Sequence, residues 1–191
     1  MSKSILISIQ PQHVAHILNG YKTLELRKAI PKDFTGWVYI YVTKSKSLLV
    51  NKDFLSEFYE TYDPLDHKGY IAKAYFNEVF NGKVVARFWF DEYERLYFDY
   101  DRYVVLDRWY GVELEDEDFN YGKKLCLTDK KITSYGKGKD LYAWHIKNLE
   151  IFDKPKEIYE FKTMYKHEHL NHYYKGIERP PQSWQYVYVN D

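Results

Sequence analysis

Residues 19–31 read NGYKTLELRKAIP. Gly20 marks the stop of a preceding helix, and Pro31 ends the segment between them. Within that segment the chain alternates. Leu24 and Leu26 point one way, and Thr23, Glu25 and Arg27 point the other, the period-two signature of a strand with one apolar and one charged side. Lys22 has the opposite parity to Glu25 and joins the charged side only if the chain twists as it leaves Gly20. Two readings of this face stand. It is a ligand site, or it is a structural ion pair in which Glu25 holds Arg27 or Lys22 on a strand that faces solvent.

Upstream, SILISI (4–9) reads as a buried strand, and Pro11, Val14, Ile17 and Leu18 fit a helix opened by proline. Downstream, GWVYIYVT (36–43) is a second buried strand. Residues 44–81 read as helical or irregular, with Phe54, Leu55 and Phe58 and then Ile71, Ala74, Tyr75 and Val79 at helical spacing. From residue 83 a strand places Val84, Ala86, Phe88 and Phe90 on one face. The stretch 99–121, acidic and aromatic, has no clear assignment. Thr128 to Tyr135 reads as a short helix stopped by Gly136, and LYAWHIKNLEIF (141–152) as one long strand. Pro155 opens a helical turn, and RPPQSWQYVYV bends and closes with a strand. Strands dominate, and most links between them are too short for parallel crossovers. The residues therefore predict an α+β fold built on a small barrel or a strongly bent, mainly antiparallel sheet.

The chain has 191 residues and a formal net charge of zero, enough for one substantial core in a single domain. The charge is unevenly spread. Residues 1–50 carry seven Lys/Arg against two Asp/Glu, and residues 51–121 carry eight against seventeen. Basic ends that meet in the fold make a face suited to a polyanion; the alternative is mutual neutralisation by the acidic middle. Twenty-one tyrosines serve equally to stack on bases or to fill sheet faces. No apolar run is long enough for a bilayer span, and MSKSILISIQ has no signal-peptide pattern. With Cys126 alone, no internal disulfide forms, and a reducing cytoplasm is the expected compartment.

Taken in order, ILISIQP, the helix ending at Gly20, GYKTLELR, GKVVARF, YGKGKDLYAWHIKNLEIFDKPKEI and RPPQSWQYV resemble the ASCH family of the PUA-like superfamily, in a bacterial and phage branch. GYKTLELR matches that family's G-x-K-x-x-E-x-R signature. The resemblance covers most of the chain and is weakest over 44–81 and 91–125. It implies a PUA-like, mostly antiparallel β-barrel with flanking short helices, an insertion at about 44–81, and a cleft beside the first helix that binds RNA or a nucleotide-like ligand. One branch of the family removes the acetyl group from acetylated cytidine. There a Thr stands where Glu25 stands, joined by a Lys matching Lys22 and by a Glu from a later strand. Here the corresponding strand offers Arg87. A carboxylate is a poor substitute for an activated hydroxyl.

The ligand-binding candidates are therefore Lys22, Thr23, Glu25 and Arg27, with Arg179, Gln182, Ser183 and Trp184 beside the Pro-Pro bend. Arg27 supplies a planar fork for phosphate, Lys22 a point charge, and Glu25 an acceptor for an exocyclic amine. Trp184 serves either as a stacking platform or as packing. Lys22, Glu25 and His145 are the weak candidates for catalysis. Lys22 is expected within a charge-assisted hydrogen bond of Glu25, which would keep it cationic. The histidines of HEHLNH (167–172) fall at spacings that do not share one helical face, so no metal is expected and no cofactor is implied. Three functions are expected, in order of preference. The first is an RNA- or nucleotide-binding module. The second is a hydrolase on a modified nucleoside or RNA. The third is a regulatory protein docking through its acidic middle.

Overall fold

In the computed structural model, described for residues 1–45, 49, 79–100, 102–106, 111–113, 121–166 and 172–190, the quoted stretch lies at the junction of two sheets. Helix α1 (Pro11–Leu18) carries proline in its first turn, where a missing N–H costs nothing. It ends at Asn19, and Gly20 follows at φ 76°. The amides of Tyr21 and Lys22 both bond back to the His16 carbonyl, at 3.0 and 3.1 Å. The chain therefore turns sharply before strand β2 (Leu24–Arg27) begins.

The larger sheet holds β1 (Ser2–Ile9), β3 (Gly36–Val42), β4 (Val84–Phe90), β9 (Lys147–Lys156), β10 (Lys162–Tyr165), β11 (Tyr173–Gly176) and β12 (Trp184–Val189). Their order is β11-β10-β12-β1-β3-β4-β9. The smaller sheet joins β2 to β5 (Tyr93–Asp99), β6 (Arg102–Leu106), β7 (Gly111–Glu113) and β8 (Leu141–His145), in the order β2-β8-β5-β6-β7. Among the described residues, neighbouring strands are antiparallel except β1 with β3, whose crossover contains α1 and β2. The fold is α+β as expected, but the sheets do not close into a barrel. Among the described residues each ends in free outer strands, and they share a core instead. Trp144 of β8 packs 4.8 Å from Phe90 of β4, in a cluster with Ile7, Val14 and Val38.

Two local expectations change. LYAWHIKNLEIF is not one strand. It breaks at Ile146, whose amide donates to the Thr23 carbonyl at 3.0 Å, and the chain passes there from the smaller sheet to the larger. Alternation fails just past the break, where the polar Lys147 and Asn148 are adjacent and Asn148 takes φ 47°. In β4 the pairing with β3 slips between Ile40 and Tyr41, so Val85 is the extra residue of a bulge. Val85 joins Ala86, Phe88 and Phe90 in the shared core, while Val84 faces a separate cluster with Leu6 and Tyr39.

Two helices, α2 (Tyr121–Leu125) and α3 (Asp129–Gly136), cover the apolar face of the smaller sheet over Leu24, Leu26, Leu96 and Ala143. Helix α3 stops through Lys137 at φ 54° rather than at Gly136. Gly136 is needed for space, because a Cβ there would collide with the Tyr103 hydroxyl oxygen. The turn expected after Pro155 is a 3₁₀ turn at Ile158–Glu160, reciprocally capped by Glu157 and Glu160. The helical patterns within 44–81 fall almost wholly outside the described residues, as does 167–171 of HEHLNH. No described helix is long and apolar enough to cross a membrane.

Candidate functional site

The turn after Gly20 resolves the parity conflict at Lys22. It brings the Lys22 ammonium 3.4 Å from Glu25 Oε2, while Arg27 Nη2 lies 2.8 Å from Glu25 Oε1. All three side chains are buried. The 3.4 Å separation is wider than a charge-assisted hydrogen bond. The short bond of Lys22 is instead its donation to the Leu125 carbonyl, at 2.7 Å. Arg27 Nη2 also donates to the Ser8 carbonyl at 2.9 Å, and Nη1 reaches Ser183 Oγ at 3.5 Å. One guanidinium thus ties β2 to β1 and to the C-terminal bend. The ion pair of the second sequence reading is present, but it is buried rather than facing solvent, because β2 lies under a cavity and the three side chains line it.

The cavity has a volume of about 750 Å³. Its floor is Lys22, Glu25 and Arg27. Its walls come from the end of β1 (Ser8 to Gln10), from His13 on α1, from Thr43 to Ser45 after β3, from Lys131 and Tyr135 on α3, and from Gln182. Among the described residues that line it, Lys22, Arg27, Lys44 and Lys131 stand against a single carboxylate, that of Glu25. Burial pushes the Glu25 carboxyl up, but Lys22, Arg27 and His13 together outweigh it and hold it below the usual carboxylate range. Burial also lowers the Lys22 ammonium below the usual lysine range, and Glu25 offsets only part of this. The expectation that Glu25 would keep Lys22 cationic left out that opposing desolvation.

Two solved structures resemble the chain over nearly its whole length. Both are variants of ZmASCH from Zymomonas mobilis. A serine-to-alanine variant matches at 13% identity and TM-score 0.52, covering 97% of this chain and 88% of that one. A tyrosine-to-phenylalanine variant matches at 15% identity and TM-score 0.52, covering 98% and 91%. The chain has the ASCH fold. No protein-family model matches the sequence, and no curated protein matches it.

Within this ASCH fold the expected site residues separate. Lys22, Glu25, Arg27 and Gln182 line the cavity, and Ser183 touches it through Arg27. Thr23 does not. Parity placed it beside Glu25, but β2 begins at Leu24. Thr23 is exposed, its amide donating to Lys124 O and its carbonyl accepting from Ile146 N, each at 3.0 Å. Arg179 is exposed outside the cavity wall. Trp184 does not line the cavity, and its ring lies 5.9 Å from that of Trp144 and 5.7 Å from that of Tyr186. His145 faces away from Trp144 and meets Glu94 at 2.7 Å, in a separate cluster where the Tyr121 hydroxyl donates to the same carboxylate. Arg87 is likewise remote, bonding Glu150 at 2.7 Å and stacking on Trp37 at 4.1 Å. Sequence reading missed Lys44, Lys131, Tyr135 and Ser8. Their only advance signal was the basic character of the two chain ends.

Proposed function

We propose that this cavity binds the phosphate and base of a single-stranded RNA or a nucleotide, and that the chain is a binding module. The observation that carries the reading is the cavity itself. Among the described residues four cations line it against one carboxylate, and its volume falls within the roughly 300–1,000 Å³ of small-molecule sites. Lys44 and Lys131 stand at exposed positions of the wall, where they meet phosphate as point charges. Tyr135 offers a ring for stacking, and Glu25 accepts from an exocyclic amine. The resemblance to the ASCH family supports the same class of ligand. Titration at low salt with nucleoside monophosphates and short single-stranded RNAs tests it. Binding that weakens as salt rises is expected, and no binding to any of them refutes the reading.

One observation favours a second reading. Lys22 is buried with lowered proton affinity beside a carboxylate, which are the makings of an acid–base pair in a hydrolase acting on acetylcytidine-type amides or on RNA. Labelled RNA and acetylated cytidine, incubated with the protein and EDTA, separate the two. Turnover that disappears in Lys22→Ala or Glu25→Ala makes the chain an enzyme.

A further inference from the structure

Exposed tyrosines concentrate at one edge of the larger sheet. Tyr159, Tyr165, Tyr173 and Tyr174 are all exposed there, the first to 65%. They form two ring pairs. On one face Tyr165 stacks on its cross-strand partner Tyr173, with centroids 5.3 Å apart and planes 19° apart. On the other face Tyr174 meets Tyr188 of β12 edge-on at 5.1 Å. Lysines accompany both pairs. Register puts Lys175 on the face of Tyr165 and Tyr173, and Lys162 opposite Tyr188, while Lys3 sits beside Tyr188 on β1. Among the described residues the neighbouring carboxylates are engaged. Glu178 pairs with Lys175 at 2.8 Å, and Glu160 caps its own turn.

Strand β12 joins this edge to the cavity. Gln182, two residues before it, lines the cavity, and Trp184, Tyr186 and Tyr188 then alternate on one side of the sheet. Trp184 and Tyr186 pack there against the same core as α1, and Lys3 lies 4.0 Å over the Tyr186 ring. The strand steps from Trp184 to Tyr188 span about 13 Å. That is about four nucleotides of stacked single strand at about 3.4 Å each, and fewer when extended.

We propose that the tyrosine–lysine edge of β10, β11 and β12 is a second contact for the same single-stranded RNA, continuing the track that starts in the cavity. The proposal rests on the binding reading given above and makes the ligand a polynucleotide rather than a free nucleotide. Rings interleaved with lysines supply stacking and phosphate neutralisation together. Protein interfaces, by contrast, are depleted in lysine. Strand β11 is also only four residues long and carries Lys175, features that blunt edge-to-edge pairing with another chain.

Fluorescence anisotropy tests the proposal, using cytidine monophosphate as a competitor and labelled single-stranded RNAs from a dinucleotide to about ten nucleotides, within the usual site sizes of such tracks. The proteins are the parent, Tyr165→Ala with Tyr174→Ala, and the matching Phe pair, each checked for unchanged thermal unfolding. The longest RNA is expected to bind the parent at least about tenfold tighter than the dinucleotide. The Ala pair loses about tenfold per ring for that RNA alone, the Phe pair keeps it, and monophosphate competition is unchanged. Equal affinity at every length, or a length gain that survives in the Ala pair, overturns the edge contact while leaving the cavity reading intact. Failure of every nucleotide and RNA to bind overturns both. Ala variants that alter only self-association, by sedimentation, show that the edge contacts protein and refute the proposal.

Discussion

Glu25 Oε1 and Arg27 Nη2 lie 2.8 Å apart, a buried ion pair of residues two apart on one four-residue strand. The neighbours of that pair are two more elements, because Arg27 also holds the Ser8 carbonyl and Lys22 also holds the Leu125 carbonyl. Removing the carboxylate therefore leaves two like charges buried side by side. Glu25→Ala is expected to destabilise the fold by about 3–5 kcal/mol, the usual consequence of stranding a buried charge. Urea denaturation at neutral pH measures it. A loss below about 1 kcal/mol shows that the cations are hydrated and that the triad is not structural.

The same carboxyl predicts an acid limb. Its folded-state proton affinity is held below the unfolded value of about 4.3. Between the two values the unfolded chain binds the extra proton, so this group's stabilisation is present above about pH 4.3 and is lost as pH falls through the depressed folded value. Glu25→Gln has no such group to titrate. Its stability, lower at neutral pH, is expected to fall less steeply than the parent's across the acid range, as read by unfolding midpoints at a series of pH values.

Lys44 and Lys131 are exposed on the cavity wall, so replacing either is expected to leave thermal stability unchanged. If both meet phosphate, each Ala variant weakens RNA binding and lowers the slope of log K against log salt by about 0.7. Slopes identical to the parent's remove these lysines from the interface.

Glu25→Thr tests the hydrolase reading directly. The change restores the hydroxyl found at this position in the acetylcytidine-hydrolysing branch that the sequence resembles. It also removes the carboxylate that raises the proton affinity of Lys22. A trace of acetylcytidine hydrolysis is expected in the variant and none in the parent. Recovery is poor because no second carboxylate lines the cavity among the described residues. Hydrolysis by the parent that is lost in Glu25→Thr makes the carboxylate itself catalytic.

Gly136→Ala drives a methyl group into the Tyr103 hydroxyl, which donates to the Lys139 carbonyl at 2.6 Å. Overpacking of this kind costs about 1–3 kcal/mol. Calorimetry is expected to show the loss in an otherwise wild-type background. It should be largely relieved when Tyr103 is also replaced by Ala, once that variant's own destabilisation is subtracted.

Much of the local structure was legible in residue order. Proline at the start and glycine past the end bounded α1, because both act through their own backbone angles. The side-chain period of two put Glu25 and Arg27 together, since that period belongs to any extended strand. The helix read from Thr128 to Tyr135 matches α3 within a residue. The error at Thr23 arose because parity holds only inside the strand, and β2 starts one residue later.

Sequence alone thus determined α1, β1 to β3 and α3, with the charged strand and the ionic pairing latent in it, because these depend on contacts a few residues apart. Tertiary structure alone decided that Lys22 swings in after Gly20, that the chain changes sheets at Ile146, and that Lys44, Lys131, Tyr135 and Gln182 surround one cavity. Residues 8 and 182 become neighbours because β1 is hydrogen-bonded on both edges, to β3 and to β12, and is buried from Ser4 onward. Which strands satisfy those edges and cover those faces depends on the whole chain's apolar surface and backbone pairing, and no local pattern encodes that choice.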